Sequence, residues 1–328
     1  MQASEKRYYN MIYKKCGKSG LKLPIISLGL WHNFGENCSY NNMKEIIKTA
    51  FDNGITHFDL ANNYGPPYGS AEINMGKILS CGFNKYRDEI IISTKAGYDM
   101  WSGPYGNGGS KKYITASINQ SLKRLNLDYV DIFYHHRMDT ETPLEETMEA
   151  LTRIVKDGKA LYIGISNYDG HTMEHASKLL YLANVPFIIN QNRYSIFDRT
   201  IENNGIKLKS KKLGKGIIAY SPLAQGLLTD KYLNGIPNKS RIASDGRYLK
   251  PEDLTRKRLK QIKLLNNMAI ERGETLAQMS LRWVLKDEDI TGVLIGASNP
   301  SQITENLKII NKMPITDEEL RNIDDISL

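Results

Sequence analysis

The chain has 328 residues, 41% of them hydrophobic and 24% charged, enough to bury a sizeable core as one large α/β barrel or as two modest domains. It contains no apolar run near the roughly 18 residues needed to span a bilayer, and the charged segment Met1 to Asn10 is not followed by an apolar stretch, so a cytoplasmic protein without membrane span or secretory signal is expected. The formal net charge of +8 is spread over lysine-rich helical segments without a basic-aromatic tract, which argues against a nucleic-acid partner and leaves a local phosphate site open.

In chain order, residues 1–11 form an N-terminal extension. Residues 12–25 alternate around the turn Gly17 to Gly20 and read as a β-hairpin placed to plug the bottom of whatever follows. Strand-like runs then recur at Ile26 to Leu30, His57 to Leu60, Ile90 to Thr94, Val130 to Tyr134, Ala160 to Ile165, Phe187 to Asn190, Gly216 to Tyr220 and Gly292 to Ile295. Between them lie segments of helical spacing, Asn42 to Asn53, Ser70 to Leu79, Ser110 to Leu125, Pro143 to Lys156 and Gly170 to Leu182, the fourth ended by Asp157 and Gly158. Eight strands with intervening helices favour a closed (β/α)8 TIM barrel over an open sheet, in a single domain spanning 1–328. The run from Leu223 to Asp253, after the seventh strand, is too long for an ordinary connection and reads as a closing loop.

Three cysteines, Cys16, Cys38 and Cys81, make an odd number with no CxxC pair and no histidine at zinc-ligand spacing. Reduced thiols and no metal are expected.

Three strands end in ionisable groups: Asp59, Lys95 and His136, with Tyr64 on the loop above Asp59. In a barrel all strand ends open on one face, so the four would converge. A carboxylate can hold the lysine, and the ammonium can lower the proton affinity of the phenol; moving a tyrosine from about 10 toward about 7 takes roughly 4 kcal/mol. Taken singly, each has a plainer reading: a surface lysine, a turn or capping aspartate. His57 reads as a packing histidine without a matched partner, and His135 points away from His136. Together, at three strand ends, the catalytic reading overtakes these.

The motifs Gly54 to Gly65, Ile92 to Lys95 and Asp128 to His136 resemble those of aldo-keto reductases, and the resemblance runs from about Met11 to the C-terminus. It implies that Tyr64 is the general acid, that Lys95 and Asp59 tune it, and that His136 orients the carbonyl oxygen. It implies a nicotinamide cofactor, NADPH, bound without a Rossmann fold, in keeping with the absence of a strand-linked GxGxxG. By the same resemblance Ser166, Asn167 and Gln191 would hold the carboxamide and Tyr220 would stack on the nicotinamide. Against this, Asn167 could cap the next helix and Tyr220 could merely pack. Ser221 to Lys231, including Leu223 and Gly226, is similar to the loop that closes over the pyrophosphate. Lys231 and Arg241 match the adenosine-phosphate positions, and Gly296, Ser298, Gln302, Glu305 and Asn306 match the adenine side.

The loops after strands one to three resemble those of bacterial family members that reduce L-glyceraldehyde 3-phosphate. This implies a small phosphorylated or dicarbonyl aldehyde as substrate, with methylglyoxal second, Trp31 and Trp101 walling the pocket, and Arg137 pairing with a substrate anion. Two alternatives stand beside it: a broad aldehyde-detoxifying reductase, and a cofactor-sensing subunit like the β subunits of potassium channels. The resemblance also leaves a homo-oligomer open, and the stretch between Tyr194 and Gly214 is short against those relatives, which leaves the sixth loop and helix in doubt.

Overall fold

Short β-branched runs alternate with amphipathic segments along the chain, and the computed structural model shows how they close. It describes residues 2–238, 240–244 and 249–328, with the backbone alone at Arg241 and Ser244. An antiparallel hairpin, β1 (Tyr13–Lys15) and β2 (Lys22–Pro24), comes first. Eight parallel strands follow: β3 (Ile26–Gly29), β4 (His57–Asp59), β5 (Ile91–Ala96), β6 (Val130–His135), β7 (Ala160–Ser166), β8 (Phe187–Arg193), β9 (Gly216–Tyr220) and β10 (Ile290–Ile295). They close in sequence order, β10 pairing with β3, into the expected (β/α)8 barrel.

Helices α1 (Tyr40–Asp52), α2 (Ser70–Ile78), α3 (Lys111–Leu125), α4 (Leu144–Lys156) and α5 (Gly170–Leu182) lie where the periodicity puts them, within two residues at each end. Helix α4 has Glu145 and Glu146 in its first turn and Arg153 and Lys156 in its last, each complementing the helix dipole, and it stops at Asp157 before Gly158 at a φ of 72°. The sixth segment, in doubt from the sequence, forms two short helices, α6 (Thr200–Asn203) and α7 (Ile206–Leu213). The long run after β9 is not featureless. It carries 3-10 turns at Ala224–Gly226, Asp230–Tyr232 and Pro251–Asp253 and the short helix α8 (Arg241–Ser244). Helices α9 (Arg256–Glu271), α10 (Leu276–Val284), α11 (Pro300–Leu307) and α12 (Asp317–Ser327) complete the chain.

The hairpin lies across the lower end of the barrel. Lys18 N donates to Gly214 O at 2.8 Å, Lys14 Nζ to Ile290 O at 3.1 Å, and Cys16 Sγ to Ile188 O at 3.4 Å, all at the points where strands begin. Cys16 and Leu23 are fully buried with Ile132, Ile188, Ile218 and Leu294 inside the barrel. The approach at Gly17 is so close that a Cβ there would fall 2.2 Å from Gly214 O. Inside the wall, Gly164 leaves room for the Tyr134 ring, whose Cε1 would lie 2.3 Å from an added Cβ. Among the described residues no helix is long and apolar enough to cross a membrane.

Candidate active site

Side chains alternate along a strand, so residues two apart share a face. His57 and Asp59 on β4, and Ser93 and Lys95 on β5, therefore all face the barrel axis, with Asp59 opposite Ser93 in the register. Lys95 is no surface charge: it is 0% exposed and Asp59 1%. Its ammonium donates to Asp59 Oδ2 at 2.5 Å, to Leu60 O at 2.6 Å and to Tyr64 Oη at 3.4 Å. An ammonium has three protons and no lone pair, so in the third contact the phenol oxygen accepts. Burial lowers the Lys95 pKa, and the Asp59 carboxylate works against that lowering.

Asp59 is likewise neither a turn nor a capping residue. Its Oδ1 accepts from Ser93 Oγ at 2.6 Å and from Gln191 Nε2 at 3.2 Å, so both oxygens are held. His136 follows the end of β6, its ring 5.9 Å from that of Tyr64 and 4.7 Å from that of Tyr98. Burial, with Lys95, His135 and Arg137 nearby, holds its pKa well below the usual histidine value, so it is neutral. Its buried Nδ1 has no hydrogen-bond partner. His135 points the other way, its Nδ1 2.6 Å from Tyr168 Oη, as strand alternation requires. His57 departs from expectation. It is a core histidine, yet both ring nitrogens are matched, Nδ1 by Ser27 Oγ at 3.0 Å and Nε2 by Ser93 Oγ at 2.9 Å.

Trp31 flanks Tyr64, the ring centroids 6.1 Å apart. Trp101 lies with its ring 5.1 Å from that of Tyr113, whose hydroxyl donates to Tyr98 O at 2.6 Å. Arg137 donates from Nε to Gly97 O at 3.0 Å and lies 5.2 Å over the Tyr98 ring, with no carboxylate in ion-pair range among the described residues.

Asn167 does not cap a helix. Asp169 does, accepting from Thr172 N, while Asn167 stands two residues earlier at a φ of 58°. Its Nδ2 donates to His136 O at 3.0 Å and its Oδ1 accepts from Tyr220 Oη at 2.8 Å. Tyr220 is thus tied by its hydroxyl to the loop that carries the carboxamide candidate, and does more than pack. Ser166 and Gln191 are buried beside them. The closing loop holds three further non-glycine residues at positive φ, Ser221 at 52°, Ala224 at 45° and Gln225 at 58°, followed by Gly226 at 103°. Such backbone costs on the order of 1–3 kcal/mol per residue and gathers where a ligand is clamped. Leu223 is half-buried within this loop and Lys231 is exposed at its end. The side chain of Arg241 lies outside the described residues.

Across the mouth, Gly296 follows the last residue of β10, where a Cβ would meet nothing within 4 Å and φ is not positive. Neither packing nor conformation calls for glycine there, so the space fits a ligand approaching the backbone. Beyond it Asn299 caps α11, Ser298 N donates to Gln302 Oε1 at 2.8 Å, Glu305 pairs with Lys308 at 2.7 Å, and Asn306 is buried. The helix N-terminus gives this side of the cleft an attraction for anions. Among the described residues no cluster of three metal-ligating side chains occurs.

The Aldo/keto reductase family profile matches residues 25–328. This chain belongs to the aldo/keto reductase family. L-glyceraldehyde 3-phosphate reductase of Escherichia coli (strain K12) is 53% identical to this aldo/keto reductase over 325 residues, covering 98% of this chain and 94% of that protein. A putative voltage-gated potassium channel subunit beta of Schizosaccharomyces pombe is 35% identical over 327 residues, 97% and 93% of the two chains. A probable voltage-gated potassium channel subunit beta of Arabidopsis thaliana is 37% identical over 312 residues, 93% of each. Membership makes the chain an oxidoreductase acting on aldehydes, of a family that takes a nicotinamide dinucleotide. The strained loop from Ser221 to Gly226 and the open space at Gly296 fit such a cofactor.

Proposed function

We propose that this reductase converts a small aldehyde, L-glyceraldehyde 3-phosphate first and methylglyoxal second, to its alcohol with NADPH, and that Tyr64 is the general acid. The observation that carries the reading is the buried Lys95, whose ammonium donates to both Asp59 and Tyr64 Oη. A donor on the phenol oxygen favours the phenolate and so makes Tyr64 the stronger acid. A nicotinamide dinucleotide held by the residues named below would supply the hydride that the carbonyl carbon takes up. Tyr64 gives its proton to the carbonyl oxygen, so the aldehyde gains one hydride and one proton. Neutral His136 orients that oxygen by a hydrogen bond, and Trp31 walls the pocket beside it.

Ser166, Asn167 and Gln191 would hold the carboxamide, with Tyr220 under the nicotinamide. Ser221, Leu223 and Gly226 would close on the pyrophosphate, Lys231 and Arg241 would meet the adenosine phosphate, and Gly296, Ser298, Gln302, Glu305 and Asn306 would face the adenine. The substrate assignment draws on the 53% identity to a protein named L-glyceraldehyde 3-phosphate reductase. Arg137, with no carboxylate in ion-pair range among the described residues, would receive a substrate phosphate.

The test follows NADPH absorbance with purified protein and L-glyceraldehyde 3-phosphate, the D-isomer and methylglyoxal in parallel. Strong preference for the L-isomer supports the assignment, and similar efficiencies across many aldehydes would replace it with a broad detoxifying reductase. Tight NADPH binding without turnover of any aldehyde would move the reading to a cofactor-sensing subunit, as the relatives named as channel β subunits suggest.

A further inference from the structure

We infer that Ser93, backed by His57 and Ser27, is a positioning residue that fixes the Asp59 carboxylate beneath Lys95, and so sets the pH at which Tyr64 ceases to act as an acid. The inference rests on the reading of Tyr64 as the general acid.

The four groups stand in line inside the barrel. Ser27 Oγ is 3.0 Å from His57 Nδ1, His57 Nε2 is 2.9 Å from Ser93 Oγ, and Ser93 Oγ is 2.6 Å from Asp59 Oδ1. Ser27, His57 and Ser93 are 0% exposed and Asp59 1%, so no solvent completes their hydrogen bonding. The proton positions then follow from elimination. An ionised carboxylate only accepts, so Ser93 spends its single proton on Asp59. The Ser93 oxygen is left as an acceptor and takes the proton on His57 Nε2. Nδ1 is therefore bare and accepts from the Ser27 hydroxyl. Burial pushes the His57 pKa down to about 4, opposed by Asp59 and reinforced by Lys95, so the neutral tautomer persists through the working range.

The consequence falls on Asp59. With Ser93 and Gln191 on Oδ1 and Lys95 on Oδ2, the carboxylate has one orientation, and part of its charge is drawn toward Ser93. Removing the hydroxyl leaves more negative charge facing Lys95, weakens the net positive field at Tyr64, and makes the phenol harder to ionise. The other ionisable groups around this point are His57 on β4, Lys95 on β5, Tyr134 and His136 from β6, and Tyr64 on its loop. Glu72 on α2 acts on Lys95 from behind the wall. A substitution at Ser93 leaves each of these side chains in place, and of them only His57 loses a direct hydrogen-bond partner by it.

The experiment compares Ser93→Ala, Ser93→Thr, His57→Gln and Tyr64→Phe with the parent, measuring kcat and KM with NADPH and methylglyoxal across the alkaline range, and NADPH affinity by fluorescence quenching. For Ser93→Ala the alkaline limb moves upward and kcat falls about tenfold, the effect of one lost hydrogen bond to a charged group, while NADPH affinity stays within twofold. Ser93→Thr, which keeps the hydroxyl, restores the parent profile, and His57→Gln shifts the limb in the same direction by less. A Ser93→Ala profile that overlays the parent, or a threonine variant that shares the alanine defect, overturns the inference. So does a lowered Tm without movement of the limb. Should Ser93→Ala not fold, an unmoved limb in His57→Gln overturns it instead. A Tyr64→Phe variant as active as the parent would refute the acid assignment itself, a distinguishable result.

Discussion

Lys95 and Asp59 form an ion pair at 2.5 Å with side-chain exposures of 0% and 2%, the most completely buried pair among the described residues. Breaking one half of such a pair strands a charge in a dry interior and costs roughly 3–5 kcal/mol, whereas replacing both with neutral groups is far milder. Lys95→Met is therefore expected to lower the unfolding free energy by that amount and to abolish most turnover. Adding Asp59→Asn should recover stability without recovering activity. Urea denaturation of the two variants checks this, and equal stability of the single and double variants would contradict it.

Tyr64→Phe removes the proposed acid and the acceptor of the Lys95 contact while keeping the ring beside Trp31 and His136. A loss of about 10²–10⁴-fold in kcat is expected, with NADPH binding nearly unchanged. Steady-state kinetics paired with a fluorescence titration separates the two.

Three buried neutral histidines set an acid limit on stability. Burial pushes His57 and His135 down to about 4 from an ordinary 6.5 and holds His136 well below it too. Between these values the unfolded chain binds protons that the folded chain refuses, so stability falls as pH drops from about 6.5 toward 4, by on the order of 3 kcal/mol per histidine. Thermal unfolding at a series of pH values should show this slope, and His135→Gln should flatten it.

Gly164→Ala drives a methyl group into the ring of Tyr134, which itself lies 5.7 Å from the Lys95 ammonium. Overpacking here is expected to cost about 3 kcal/mol and to lower kcat by disturbing the lysine. Gly158→Ala, in open space at a φ of 72°, should cost only about 1 kcal/mol and leave the rate alone. Melting temperatures and kcat of the two variants decide it.

Lys231 is exposed at the end of the closing loop. Lys231→Ala is expected to weaken NADPH by roughly tenfold, as loss of a charged contact to phosphate would, and NADH by much less. Equal losses for the two cofactors would remove the lysine from the phosphate site.

The barrel was legible from its apolar runs, and Asp59, Lys95 and His136 from their place at the ends of three of them, where alternation and strand order bring them together with Tyr64 on the loop above Asp59. What stayed hidden depends on register across strands. Nothing in the neighbourhood of His57 announces Ser27 or Ser93, which are 30 and 36 residues away and meet it only once β3, β4 and β5 are aligned. The plainer alternative for Asn167, a helix cap, falls away for a local reason, since Asp169 two residues on takes the cap and leaves Asn167 to the left-handed turn that carries its side chain to Tyr220. Helix α9 escaped because its sequence, with five lysines and arginines among sixteen residues, offers only a narrow apolar stripe of Ile262, Leu265 and Ala269.

The hairpin that lies across the strand beginnings gives the barrel a floor. Cys16 and Leu23 close the lower end with apolar atoms, and above them rise first the serine and histidine line and then the lysine. A proton surrendered by Tyr64, in the proposed reaction, would be replaced through the mouth by which substrate enters, because apolar atoms close the lower end.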